Sequence, residues 1–425
     1  MKTLSFQASL LSTLTLLIRS NAKSVIEPDP SPGCLNSISH KALAEISTSL
    51  EKHPIKVSLP PSYDPKKPAP LILVYNDRGV TLDNMVQVTA LSDETVNPDA
   101  VVVYLAAAHA NPWFSDANFP LPPNGPLPHN TDLTWTTTLL THLTTSYCID
   151  KRRIHASGIG TGGGFLSLLA CNPNLSTQIA SFAAVSAAFF TDDSSSSPWA
   201  ETNCSPGRRP ISLLEIHGLR DERWGYYPPG VEGEVQGLGP VGWMEVWKER
   251  QACGEKVGEA WAASFSNATY VSKFQHGGLS EGVEFGGGAV RIAYRCHADG
   301  STETEEKDRD MRDVSTLTLL HYSLRDVGYG WPRLDLKGEA KIQVNGHEAY
   351  PPGDIHFDAS KIVLEWFETH PLPDGKELER QAKELQDERW AMARAKGEKA
   401  AQAMMTAAPQ PREEEGESER WKDEL

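Results

Sequence analysis

Gly158-Ile159-Gly160-Thr161-Gly162-Gly163-Gly164-Phe165 is the stretch on which the reading of this chain turns. It has the spacing of a G-x-S-x-G elbow, a sharp turn from a core strand into a helix whose outer glycines relieve crowding around a strained, exposed serine. Position 160 holds glycine where that serine belongs. The frame of a nucleophile elbow is present and its reactive oxygen is not.

Outward from the elbow, short apolar runs alternate with helical ones. Residues 71–75 (LILVY), 101–105 (VVVYL), 154–157, 182–186 (FAAVS), 213–217 (LLEIH) and 317–322 read as buried strands bounded by turn residues. Helices are expected near 40–52 and over 133–147, 163–171, 244–253 and 359–369. Alternation of this kind implies a mostly parallel sheet with helices on both faces. Ser-rich residues 191–197 and Gly/Pro-rich residues 225–242 read as long surface loops.

The same glycines also spell G-x-G-x-x-G through Gly158, Gly160 and Gly163. A dinucleotide site needs that motif at the first strand of its half-domain and an acidic residue about twenty positions on. Here the motif lies mid-chain and the region of Thr177 and Gln178 is not acidic, so no nucleotide cofactor is expected. Neither C-x-x-C nor H-E-x-x-H occurs, so no metal is expected either.

Residues 1–22, a Leu-rich stretch diluted by Ser and Thr and ending Ser20-Asn21-Ala22, read as a secretory signal peptide too short for a membrane span. Residues 23–373 read as one enlarged domain, and 374–425 as a charged helical and then acidic, disordered tail. In a secretory compartment Cys34, Cys148, Cys171, Cys204, Cys253 and Cys296 could form three disulfides, with about fifteen pairings open. Sequons at Asn174, Asn203 and Asn267 are candidate glycosylation sites. The chain ends Lys422-Asp423-Glu424-Leu425, the tetrapeptide read by the endoplasmic-reticulum retrieval receptor, which favours a lumenal address over an extracellular one. A net charge of -16 speaks against nucleic-acid or anionic-membrane partners.

Taken in order, several landmarks over residues 33–367 resemble one family: the fungal feruloyl esterases of carbohydrate-esterase family one and the related polyhydroxybutyrate-depolymerase-like esterases. They are Gly33-Cys34, Leu59-Pro60-Pro61-Ser62-Tyr63-Asp64, Tyr147-Cys148-Ile149-Asp150, the elbow, Cys204-Ser205-Pro206-Gly207, Glu215-Ile216-His217-Gly218-Leu219-Arg220-Asp221, Trp331-Pro332 and Phe357-Asp358-Ala359-Ser360. The resemblance implies an α/β-hydrolase fold and an ancestral reaction in which serine, aspartate and histidine, in that chain order, cleave ferulate esters of plant arabinoxylan. Mapped residue by residue, the serine position falls on Gly160, the aspartate on Asp221 and the histidine on Tyr329.

The oxyanion region departs from the family as well. The usual His-Gly pair after the first core strand is Asn76-Asp77, and a typical Pro-Gln-Gly after the second is Leu105-Ala106-Ala107. Thr161, beside the elbow glycine, is one place out of register for a nucleophile and is expected to point away from the turn. The resemblance thus implies a scaffold kept and a chemistry lost. Two other readings stay open: an active carboxylic ester hydrolase with a relocated site, and a non-catalytic ligand- or partner-binding protein of the lumen. For the latter, aromatic residues Trp224, Tyr226, Tyr227 and Trp331 could form a platform, or could be ordinary packing.

Overall fold

Largely apolar runs form the middle of the sheet, because strands covered by helices on both faces bury most of their side chains. The computed structural model describes residues 27–35, 53–108, 113, 131–189, 204–226, 239–251, 253, 255–257, 289–296, 314–325, 327–334, 342–344, 347–349 and 357–407. In chain order the strands are β1 (Ile55–Ser58), β2 (Ala69–Tyr75), β3 (Val101–Leu105), β4 (Ile149–Ile159), β5 (Ser181–Ala187), β6 (Ser212–Gly218), β7 (Glu255–Val257), β8 (Ala289–Arg295) and β9 (Leu319–Leu324). They form a nine-stranded sheet in the order β1-β3-β2-β4-β5-β6-β9-β8-β7. The six strands from β3 through β9 run parallel, and antiparallel pairs close both edges. A separate hairpin joins β10 (Ile342–Val344) to β11 (His347–Ala349).

Alternation along the central strands divides the core in two. Leu71, Leu73 and Tyr75 face a cluster with Trp135, Leu139, Phe165, Leu169, Trp243 and Trp247. Ile72 and Val74 face the other, with Met85, Val88, Ile362 and Trp366. The helices supplying these residues are α1 (Leu82–Thr89), α2 (Thr131–Ser146), α3 (Gly160–Cys171), α4 (Gly239–Arg250) and α5 (Ala359–Thr369). Sheet order, parallel direction and two helical layers make this an α/β-hydrolase fold.

Element by element, the expectations meet the structure closely in the core and less well at the edges. Helix α5 has the expected bounds, while α3 begins at Gly160 itself rather than at 163. The loop expected over 225–242 ends earlier, because α4 starts at Gly239, with Pro240 in the first turn where its missing N–H costs nothing. Strands β1, β7 and β8 went unread; β1 and β7 are the two edge strands and only four and three residues long, and β8 lies next to β7. The helix expected near 40–52 and the loop over 191–197 lie outside the described residues.

Beyond α5, helix α6 (Gly375–Ala407) is longer than the charged segment suggested. Its first turns are not simply solvated: Gln381 and Leu385 are buried, Arg209 pairs with Glu388 at 3.0 Å, and Arg389 donates to the Pro206 carbonyl. Three disulfides settle the pairing as Cys34–Cys148, Cys171–Cys204 and Cys253–Cys296. No helix among the described residues is long and apolar enough to cross a membrane.

Candidate functional site

Strand β2 pairs with β3 on one side and with β4 on the other, so the chain reverses its direction of travel across the sheet beside β2. Ligand crevices of open α/β sheets lie at such switch points, outside the carboxyl ends of the strands. Here Tyr75 at the end of β2 stands opposite Gly158 at the end of β4, which places the loop after β2 directly over the elbow. Gly160 is the turn residue, with φ +55°, a left-handed conformation that glycine adopts without strain.

Space for a side chain at Gly160 is already taken. A Cβ built there would lie 2.2 Å from the Asp77 carboxyl carbon and 2.4 and 2.6 Å from its two oxygens. Asp77 comes from the turn after β2, which is tied down on all sides. Asn76 receives its place from its N–H to the Leu105 carbonyl and its side-chain amide to the Val80 carbonyl, and its own carbonyl accepts from the Trp113 indole. Val80 N–H closes the turn on the Asp77 carbonyl at 3.1 Å.

Six donors converge on the buried Asp77 carboxylate. Its Oδ1 accepts from the Arg78 N–H (2.7 Å), the Thr161 N–H (2.8 Å) and the Thr161 hydroxyl (3.0 Å). Its Oδ2 accepts from the Tyr329 hydroxyl (2.6 Å), Arg223 Nε (2.8 Å) and, at 3.4 Å, the Trp224 indole. In an elbow of this kind the N–H of the residue after the nucleophile helps form the oxyanion hole. Thr161 occupies that place, and its N–H is spent on the Asp77 side chain. The expectation that Thr161 points away from the turn is corrected: its hydroxyl lies on the carboxylate that covers Gly160.

Tyr329 is fully buried, and the loop carrying it is clamped by Ser186, whose hydroxyl donates to the Gly330 carbonyl and accepts from its N–H. Burial, then the negative charge and hydrogen bond of Asp77, push its phenol well above the usual range, so it stays a donor and cannot take up a proton. Asp221 follows β6, and the Tyr329 hydroxyl donates to Asp77 rather than to it. Its Oδ1 accepts from the Arg223 and Trp224 N–H groups and its Oδ2 lies 3.2 Å from His217 Nε2. The loop it caps delivers Arg223, whose guanidinium also lies over the rings of Trp224 and Tyr329.

Under this site runs a buried polar group that the sequence reading did not single out. His217 Nδ1 donates to Glu215 Oε1 at 2.9 Å and its Nε2 donates to the Trp224 carbonyl at 2.9 Å, so both nitrogens carry hydrogen and the ring is a cation. Burial opposes that charge, but Glu215 and Asp221 outweigh it and hold the His217 pKa at about 10. The other oxygen of Glu215 lies 2.6 Å from His321 Nδ1, and His321 Nε2 meets the Tyr226 hydroxyl at 2.8 Å. Burial disfavours the Glu215 carboxylate, yet the two histidines lower its pKa overall. The legible signal was a Glu-x-His pair inside an otherwise apolar strand.

Other expected site residues fall as follows. Tyr226 and Trp331 are buried, the latter donating to Ser360, so they are packing rather than an open platform; Tyr227 lies outside the described residues. Asn174 is exposed, although Ser176 of its sequon is buried and accepts from the Gly207 N–H; Asn203 and Asn267 lie outside the described residues. So do residues 1–22 and the final tetrapeptide. Arg223, the only cation on the Asp77 carboxylate among the described residues, was missed, because nothing in Asp221-Glu222-Arg223 marks which side chain turns inward.

No family model matches this chain, and no curated protein does. Among solved structures it is similar to Thermogutta terrifontis esterase 2 phosphonylated by cyclosarin, at 12% identity over 46% of this chain and 72% of that one, TM-score 0.30. An S-formylglutathione hydrolase from Agrobacterium tumefaciens shares 16% identity over 46% and 77%, TM-score 0.34. A CE1 ferulic acid esterase from Anaeromyces mucronatus shares 18% over 40% and 68%, TM-score 0.30.

Proposed function

We propose that this chain is a catalytically silent α/β-hydrolase of feruloyl-esterase-like ancestry that resides in the secretory pathway, with the endoplasmic-reticulum lumen as its favoured address. The observation that carries this reading is the Asp77 carboxylate standing over Gly160. Ester hydrolysis by the ancestral route needs an oxygen nucleophile at the elbow, a base within hydrogen-bond reach and donors left available for the tetrahedral oxyanion. Glycine has no such atom, Tyr329 is a committed donor, and the Thr161 N–H already holds an anion. A developing oxyanion at this place would meet a carboxylate instead of a hole. Its ancestral substrate class, feruloylated plant polysaccharide, is therefore one that this chain does not turn over.

Two further features support the address: three disulfides, which form and persist in oxidising compartments, and the terminal Lys422-Asp423-Glu424-Leu425. The deciding measurement uses purified full-length protein, methyl ferulate and a fluorophosphonate probe. Neither turnover nor covalent labelling above a mock preparation is expected; clear signal in either would overturn the assignment.

A further inference from the structure

The donors around Asp77 are more than a filled gap; together they have the form of a receptor for a carboxylate. Each oxygen meets three donors, and the six come from four separate parts of the chain: the turn after β2, the first residues of α3, the loop after β6 and the loop after β9. The set includes one full positive charge, Arg223, bonded at 2.8 Å. Arg223 is itself aimed by its second bond, to the Arg78 carbonyl at 3.0 Å, and Tyr329 by the Ser186 clamp. Burying a carboxylate is costly unless it is paired and hydrogen-bonded, so the donors and the anion are each other's condition for burial.

We propose that the former nucleophile pocket is a carboxylate-binding site whose resident ligand is the side chain of Asp77, held in cis. Its recognition lies in the donors and not in the chain connection, so a small free monocarboxylate takes the place of the side chain once that is removed. Asp77→Ala deletes the carboxylate while leaving Thr161, Arg223, Trp224 and Tyr329, and leaves a space of carboxylate size over Gly160. The neighbouring loop acid Asp221 is occupied by the Arg223 and Trp224 N–H groups and by His217, so it does not fill that space. This inference rests on the reading of the site as one without a nucleophile. The two can fail separately, since one is read by turnover and labelling and the other by stability in anions.

The experiment compares full-length Asp77→Ala and unsubstituted protein by thermal unfolding at neutral pH in sodium formate, sodium acetate and sodium chloride at equal ionic strength. In the variant, formate or acetate is expected to raise the Tm over chloride saturably, by roughly 2 °C at about tenfold over its Kd. The unsubstituted protein should show no such difference, and Asp77→Ala/Arg223→Met should lose it. If Asp77→Ala does not fold in chloride, recovery of folded protein on refolding in formate supports the site. Equal behaviour in chloride and carboxylates, or no folding in any of the three, overturns it.

Discussion

Tyr329 donates its phenolic hydrogen to Asp77 across 2.6 Å, joining two residues 252 positions apart directly above the elbow glycine. One stands where the resemblance to feruloyl esterases would put the histidine, and the other in the loop where it would put part of the oxyanion hole. Their bond turns the two halves of an expected reaction centre into a single closed contact between a protonated phenol and a carboxylate.

Gly160→Ser, the obvious restoration, is expected to destabilise the protein by more than about 3 kcal/mol, because the new side chain collides with a buried carboxylate at a positive φ. In an Asp77→Gly background the collision is gone and the added cost should shrink. A double-mutant cycle by urea unfolding should show coupling of about 1–3 kcal/mol. Gly160→Ser with Tyr329→His is expected to stay at background turnover of methyl ferulate, since Asp77 and Arg223 still occupy the site.

Tyr329→Phe removes one of the two shortest contacts to the Asp77 carboxylate without changing ring volume. A hydrogen bond to a charged group is worth about 1.5–3 kcal/mol, and a loss of that size in chemical denaturation is the expected result. A neutral effect would mean that the remaining donors satisfy Asp77 alone.

Glu215→Gln should cost about 3–5 kcal/mol, because it leaves His217 as a buried cation with its main partner gone. The pH dependence separates this from simple loss of packing. His217 has a folded pKa of about 10, above its ordinary value of 6.5, so its contribution is fully present below 6.5 and is lost as pH rises toward 10. Glu215 is lowered, so its contribution is present above its ordinary value and disappears as pH falls through the folded one. Stability of the unsubstituted protein should therefore decline between pH 7 and 10, and the variant should show a much flatter alkaline limb.

Acid lability should trace to His155. Burial, then the charges of Arg153 and His370, lower its pKa to about 3, and it stacks on Phe367 and meets the Ser181 hydroxyl at 2.8 Å. A histidine held neutral in the fold takes up a proton more readily when unfolded, so stability falls as pH drops from 6.5 toward 3, by about 1.4 kcal/mol per unit. His155→Gln, measured by thermal unfolding at pH 7 and pH 5, should lose less between the two values than the unsubstituted protein.

Removing residues 422–425 is expected to move the protein from the cell to the medium, read by immunoblot of both fractions. Full-length protein found mainly outside the cell would rule out retention.

Much of the fold was legible because its determinants are local. A run such as 101–105 is short, β-branched and bounded by turn residues, which marks a buried strand, and the glycines from 158 to 164 mark a tight strand-to-helix turn; the structure adds why they are glycines, since side chains at Gly162 or Gly164 would strike the backbone of Asn76 or Ala188. The short edge strands β1 and β7 carry too few residues for a pattern, and their existence depends on the neighbours they pair with. Disulfide pairing was equally beyond the spacing of six cysteines and was decided by which segments the sheet brings together.

At the site the division is sharper. The absence of a serine at 160 and of a histidine at 329 belongs to the sequence alone, because no fold can supply atoms that the residues lack. What fills the place they left could only come from tertiary structure. Asp77, Thr161, Arg223 and Tyr329 lie on four separate segments with no pattern linking them, and each is an ordinary polar residue until the ends of β2, β4, β6 and β9 converge. Burial then makes their meeting obligatory: a carboxylate withdrawn from water must find donors, and the space over Gly160 is where this chain provides them.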